Sequence, residues 1–197
     1  MKKLFLIAFI AMIAVSANAQ FGLKGGLNLA NLGGDDVDDE GKKALVGFYG
    51  GVFYNIACGE TFSVQPELVY SGQGAKYEEF GIEAKIVLSY INLTPLARFN
   101  TSSGFFVGVG PQLGFLLSAK GKVDGQDDED IKDQLKGIDI GGAIAAGYEL
   151  ENGFGFYARY NHGFTTISDN SDEKVFNRVF QVGVRYSFSM MNGNSKK

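Results

Sequence analysis

In 197 residues there are only three prolines, one histidine and one cysteine. A lone cysteine, Cys58, excludes an internal disulfide. A lone histidine, His162, excludes a site built on a histidine pair. Beyond the N-terminal segment no stretch approaches about 20 apolar residues, so no transmembrane helix is expected. The formal charge is −4 and no basic stripe occurs, which argues against a nucleic-acid partner. No Ser/His/Asp set, phosphate loop or dinucleotide fingerprint is present. No catalytic residue, cofactor or metal site is therefore expected, and the chain does not read as an enzyme. What abounds is glycine (28), phenylalanine (17) and tyrosine (9), the composition of an all-β chain.

The chain opens MKKLFLIAFIAMIAVSANAQ. Two lysines, a short apolar run and the small-x-small Ala17-Asn18-Ala19 read as a secretory signal peptide, residues 1–19, cut before Gln20. The run from Leu4 to Val15 is short for a membrane span. Loss of Lys2 and Lys3 takes the charge from −4 to −6.

Residues 20–188 alternate with period 2 in eight stretches: 20–30, 47–56, 62–71, 87–99, 105–118, 138–150, 154–164 and 176–188. Period 2 gives each strand two unlike faces. In the last stretch one face carries Phe176, Arg178, Phe180, Val182, Val184, Tyr186 and Phe188, and the other Asn177, Val179, Gln181, Gly183, Arg185 and Ser187. The second stretch is aromatic on both faces and resists phasing. About ten residues is the length with which a tilted strand crosses a bilayer. Long connections (31–46, 72–86, 119–137, 165–175) alternate with short ones (57–61, 100–104, 151–153), as in an outer-membrane barrel. The short Glu151-Asn152-Gly153 supplies the positive φ of a tight hairpin. The acidic runs DDVDDE (35–40) and DDED (127–130) fall in long loops.

The two faces decide the class. A soluble barrel turns its greasy face inward and a charged face to water. Here the second face is small: Gly108, Gly110, Gln112, Gly114 and Ser118 in the fifth stretch, and Gly141, Ala143, Ala145 and Gly147 in the sixth. Small side chains suit the narrow bore of an eight-strand barrel. The bulky face, with aromatics near the strand ends, suits lipid and its interfacial girdles. The expectation is an all-β, eight-stranded antiparallel up-and-down transmembrane β-barrel spanning 20–188, with a short polar tail at 189–197. Lys24, Glu67, Arg98, Glu149, Arg159 and Arg185 all take the inward phase near the short-turn end. Confined there, they should pair in a salt-bridged plug with Gln65, Gln112 and Gln181 as neighbours. The other reading of this layer is the selectivity filter of a narrow pore.

Three features test this reading. Pro66, Pro95 and Pro111 lie inside strands on the outward phase, where a closed barrel offers no free edge; bulges or missing ladder bonds are expected there. His162 faces outward near a loop. A lipid-modifying triad would need a serine two residues on, where Phe164 stands, and Thr165 and Thr166 are poor substitutes. Asp36-x-Asp38-x-Glu40-Gly41 echoes a calcium loop but has Gly47 at the closing glutamate position.

The blocks FGLKGGLNLANL, LSYINLTPLARFN, GFFVGVGPQLGFLLSAK, GFYARYNHGFTTIS and VFQVGVRYSF, in this order, resemble the outer-membrane β-barrel domain family common in Bacteroidota, whose members include porin-family and PorT-like proteins. The resemblance implies residence in the outer membrane among its lipids and insertion by the barrel-assembly machinery. It also implies that the terminal aromatics Tyr186 and Phe188 serve in the insertion signal. The tail SMMNGNSKK after Phe188 departs from that pattern, since such signals usually end the chain. The work expected is structural, or contact with an unidentified surface ligand through four long extracellular loops. The alternatives are a narrow porin-like pore for ions or small solutes, and an accessory role in protein secretion.

Overall fold

The computed structural model describes residues 19–34, 41–79, 81–125, 127–170 and 173–188. The signal segment up to residue 18, the run 35–40 with its calcium-like spacing, and the tail 189–197 lie outside the described residues. Eight long strands follow one another: β1 Ala19–Gly33, β2 Leu45–Ala57, β3 Phe62–Glu79, β4 Ile82–Asn100, β5 Phe105–Val123, β6 Ile138–Glu149, β7 Phe154–Gly163 and β8 Phe176–Phe188. Each is antiparallel to the next. β1 also pairs with β8, from Phe21↔Phe188 to Gly33↔Phe176, so the sheet closes into a ring. Closure gives the backbone of every strand a neighbour on both sides, the condition for crossing hydrocarbon. Among the described residues no helix is long and apolar enough to cross a membrane.

Among the described residues, large apolar side chains stand exposed all round the outer wall, from Phe21 to Phe188. A water-soluble monomer rarely exposes an apolar patch beyond a few hundred Å², so this wall is a lipid-facing surface. Aromatic pairs ring its short-turn end: Phe21 on Phe188 (5.9 Å between centroids), Phe62 on Phe99 (6.5 Å), Tyr148 on Phe156 (6.0 Å) and Phe154 on Tyr186 (4.9 Å). At the other end Phe48 meets Tyr70 (5.6 Å) and His162 meets Phe164 (5.8 Å).

Two details depart from the pattern read in the sequence, and a third follows it. The segment 72–86 is not a loop. β3 and β4 run on as paired strands to a turn at Gly81, which has φ +81°. The greasy face ends at Tyr70, but period 2 continues in charged residues that need no lipid. Ser118 does not face the bore. A register shift puts Ser89 opposite Ser118 while Tyr90 faces Leu116, and the extra residue hands the inward place to Ala119. At the prolines the second of the two expected outcomes holds, missing ladder pairing without a bulge: Pro66 faces Pro95 directly, and the flanking pairs Leu93↔Leu113 and Ala97↔Val109 place Pro95 against Pro111. The ladders lack pairing on the outer flanks of this row, at 54–55 opposite 65–66 and at 94–96 opposite 110–112. Proline has no N–H to give.

Strand length makes the ring asymmetric. β3, β4 and β5 have 18, 19 and 19 residues, whereas β6, β7 and β8 have 12, 10 and 13. One side of the barrel is therefore a tall wall that rises past the lipid belt. The short strands Lys42–Lys43 and Glu129–Asp130 add to it at β3 and β5.

Candidate functional site

The bore is filled in layers. Toward the short turns, period 2 aims Lys24 (β1), Glu67 (β3), Arg98 (β4), Glu149 (β6), Arg159 (β7) and Arg185 (β8) at the axis, and the structure brings all six together. Glu67 accepts from Lys24 Nζ at 2.9 Å, from Gln65 Nε2 at 2.5 Å and from the Arg159 guanidinium. Arg159 also donates to Asn161 (2.7 Å), Thr94 (3.0 Å) and Gln112 (3.3 Å). Glu149 Oε2 lies 3.4 Å from both Arg98 and Arg185. Gln65 Oε1 joins the two groups, accepting from Arg98 (2.6 Å) and Arg185 (2.9 Å).

Four cations face two carboxylates, and aromatic rings take up part of the excess. Lys24 Nζ sits 4.4 Å from the Tyr157 centroid, Arg98 3.9 Å from Phe106, and Arg185 4.0 Å from Phe53. Such contacts gain strength where water is excluded. These inward rings were not singled out in the sequence. Their signal was present in the aromatic residues of β2 on the second face, Tyr49 and Phe53, and in Phe106 and Tyr157 one place out of phase from the outward girdle. Glycine makes room for them. A Cβ on Gly22 would fall 2.1 Å from the Phe53 ring, and one on Gly147 would lie 2.6 Å from both Phe106 and Tyr157. The void among Lys24, Glu67, Phe106, Tyr157 and Arg185 is about 10 Å³, no more than one water needs.

Gln181 belongs to the next layer rather than to the charges. It donates to Asn28 (2.9 Å), which donates to Ser71 (2.9 Å) and to the Gly72 carbonyl (2.6 Å). Above it Asn177 donates to Asp139 (2.9 Å) and lies 3.4 Å from the Tyr90 hydroxyl. Toward the long loops Leu32, Ala75, Leu88, Tyr90, Leu116 and Ala119 close around Ile167, which the last loop inserts from above. The upper bore is thus filled by a cluster of buried apolar side chains.

His162 sits on the outer wall with its Nδ1 3.3 Å from the Tyr160 hydroxyl. Thr165 Oγ1 instead accepts from the Ile140 amide at 2.9 Å and contacts Asp139 at 3.3 Å. Among the described residues no group of three His, Cys, Asp or Glu side chains can hold a metal. Tyr186 packs between Phe154 and Phe188 within the short-turn girdle.

A closed eight-stranded ring with a lipid-facing skin and a locked polar bore defines a small outer-membrane-type barrel. The outer membrane protein beta-barrel domain family matches residues 14–169, most of the chain, and the protein belongs to that family of the outer membrane. Its fold is similar to that of Neisserial surface protein A (TM-score 0.56, 16% identity, 87% of this chain and 99% of that one). It is also similar to Ail, the attachment invasion locus protein of Yersinia pestis (TM-score 0.52, 18% identity, 86% and 99%). No curated protein sequence matches the chain.

Proposed function

We propose that the protein is a closed, non-enzymatic barrel, exported by a cleaved leader, that acts through what its long-loop end displays outside the cell. The observation that carries this reading is the double closure of the bore: a salt-bridged layer with no room for a water column, and an apolar plug sealed by Ile167. An eight-stranded ring is just wide enough for side chains to fill, whereas porins of about 16–18 strands leave an aqueous channel. Folded protein in planar bilayers is expected to give no discrete conductance. Steps whose ion selectivity shifts in Arg159→Gln or Arg185→Gln would replace this reading by the narrow pore.

One sector of the loop end carries a group of carboxylates. Asp127, Asp128, Glu129, Asp130, Asp133, Asp169 and Glu173 gather there, and a hollow of about 450 Å³ opens between Asp133, Asp169 and Glu173 over a floor of Leu32, Ile131 and Ile167. Ail was solved with sucrose octasulfate, a heparin analogue. Such a polyanion is repelled by the carboxylates that rim this hollow, so a basic partner group suits it. On intact cells protease is expected to cut within 119–137 and to spare 57–61 and 151–153. The reverse pattern would invert the orientation.

A further inference from the structure

We propose that the outer face of the tall wall holds the phosphorylated head group of an outer-leaflet lipid. Four lysines stand in direct register across neighbouring strands: Lys43↔Lys76, Lys76↔Lys85 and Lys85↔Lys122. Like charges directly opposite are destabilising, and this row lies on a chain whose net charge is negative. Its relief comes from above. Glu78 and Glu83 face each other one step further from the lipid belt. Glu78 pairs with Lys43 at 2.7 Å, Glu83 with Lys76 and Lys85, and Asp128 with Lys122 at 2.6 Å. Across β3 and β4 charge is therefore sorted by height, positive nearer the membrane and negative beyond it, whereas on β5 Lys120, one step below Lys122, faces Asp130 directly.

Immediately below the row lies a groove of about 520 Å³. Lys76, Lys85 and Lys122 border it, no carboxylate lines it, and Val46, Phe48, Tyr70 and Val87 continue it into the lipid belt. Gly72 leaves its wall open: a Cβ there meets only the Phe48 backbone, at 3.4 Å. The Phe48–Tyr70 pair and the Tyr70–Ser89 hydroxyl contact (3.0 Å) mark the level where hydrocarbon gives way to head groups. Lysine stems reach along apolar surface while their ammonium groups stay at the polar boundary. A phosphate at the lysines with acyl chains on Phe48 and Val87 satisfies both ends of this groove. A bare anion uses only one end.

The test uses the folded full-length mature chain in neutral detergent, with diphosphoryl lipid A as the probe. Dephosphorylated lipid A and inorganic pyrophosphate are the comparisons, and native mass spectrometry or a binding titration is the readout. Wild type is expected to hold diphosphoryl lipid A about tenfold or more tighter than the dephosphorylated form, with the difference shrinking in high salt. The triple variant Lys76→Gln, Lys85→Gln, Lys122→Gln should lose that preference, and Lys136→Gln, outside the groove, should keep it. Gly72→Leu fills the groove without changing charge, and should weaken the lipid while leaving any pyrophosphate binding as it was. Gel mobility of the unheated barrel checks folding of each variant, and Gly72→Leu together with single Lys85→Gln carries the test if the triple variant does not fold. Equal binding by wild type and variants overturns the proposal. Equal binding of both lipid forms reduces the site to hydrophobic contact and also overturns it, as does displacement of lipid A by equimolar pyrophosphate. None of these outcomes depends on whether the bore conducts.

Discussion

Glu67 is the residue on which the lower bore turns. Its side chain is 1% exposed and answers two cations, Lys24 and Arg159, whereas Glu149 is 21% exposed and meets Arg98 and Arg185 at longer range. Removing one partner of a buried pair leaves an uncompensated charge, at a cost of about 3–5 kcal/mol. Glu67→Gln should therefore destabilise by an amount in that range, and Glu149→Gln by clearly less, since water reaches its site. Urea titration of folding into lipid vesicles measures both, and equal losses would contradict the ranking. Gly22 is the steric counterpart. Gly22→Ala drives a methyl into the Phe53 ring that carries Arg185. It should cost about 1–3 kcal/mol as an overpacked core site, read by the same titration. The charged residues of this layer were legible in the sequence because a charge on the small face of a period-2 strand has nowhere else to go. The aromatic rings beneath them were not, because an inward phenylalanine and an outward one look alike until the strand is phased.

At the scale of elements, seven of the eight strands could be phased from alternation alone. β2 could not, since Tyr49 and Phe53 point inward while Phe48 and Tyr54 alternate with them. The inward small-residue sites Gly22, Gly26 and Gly183 that receive Tyr49 and Phe53 lie on other strands, so no local pattern announces them. The bulge at Ser118 was equally silent, since one extra residue changes the phase without changing composition. The β3–β4 extension was hidden because a greasy face was the criterion, and above the membrane there is none. That extension has its own electrostatics. Hydrogen bonds from Lys76 and then Lys85 hold the Glu83 carboxyl down to about 2, and Lys43 lowers Glu78. A carboxyl depressed by folding stabilises fully above its ordinary value near 4.5, and that contribution fades as pH falls toward 2. Amide exchange protection around Ala75 and Ala84, corrected for intrinsic rates, should hold from pH 7 to 5 and decline below about 4.5. Glu83→Gln should flatten much of that decline, and a protection profile unchanged down to pH 2 would show that backbone pairing alone holds the hairpin.

For the whole molecule, the two closures act in series and have unlike physics. The lower one is ionic and would admit water readily if it were loosened. The upper one is apolar, and a narrow dry constriction blocks ions by refusing to wet, as hydrophobic gates do. Two seals in series leak only when both fail. Ile167→Gly should thin the upper plug, because among the described residues Ile167 is the one buried side chain the last loop gives to that cluster. The paired change Glu67→Ala, Arg159→Ala removes one carboxylate and one cation from the lower layer, so its net charge is conserved while its volume falls. Each variant alone should leave liposomes as ion-tight as wild type, once gel mobility shows it folded. The combination should give ion flux well above either. Flux from Ile167→Gly alone would mean that the salt-bridged layer is permeable, and the bore would then have to be read as gated from its outer end by the last loop.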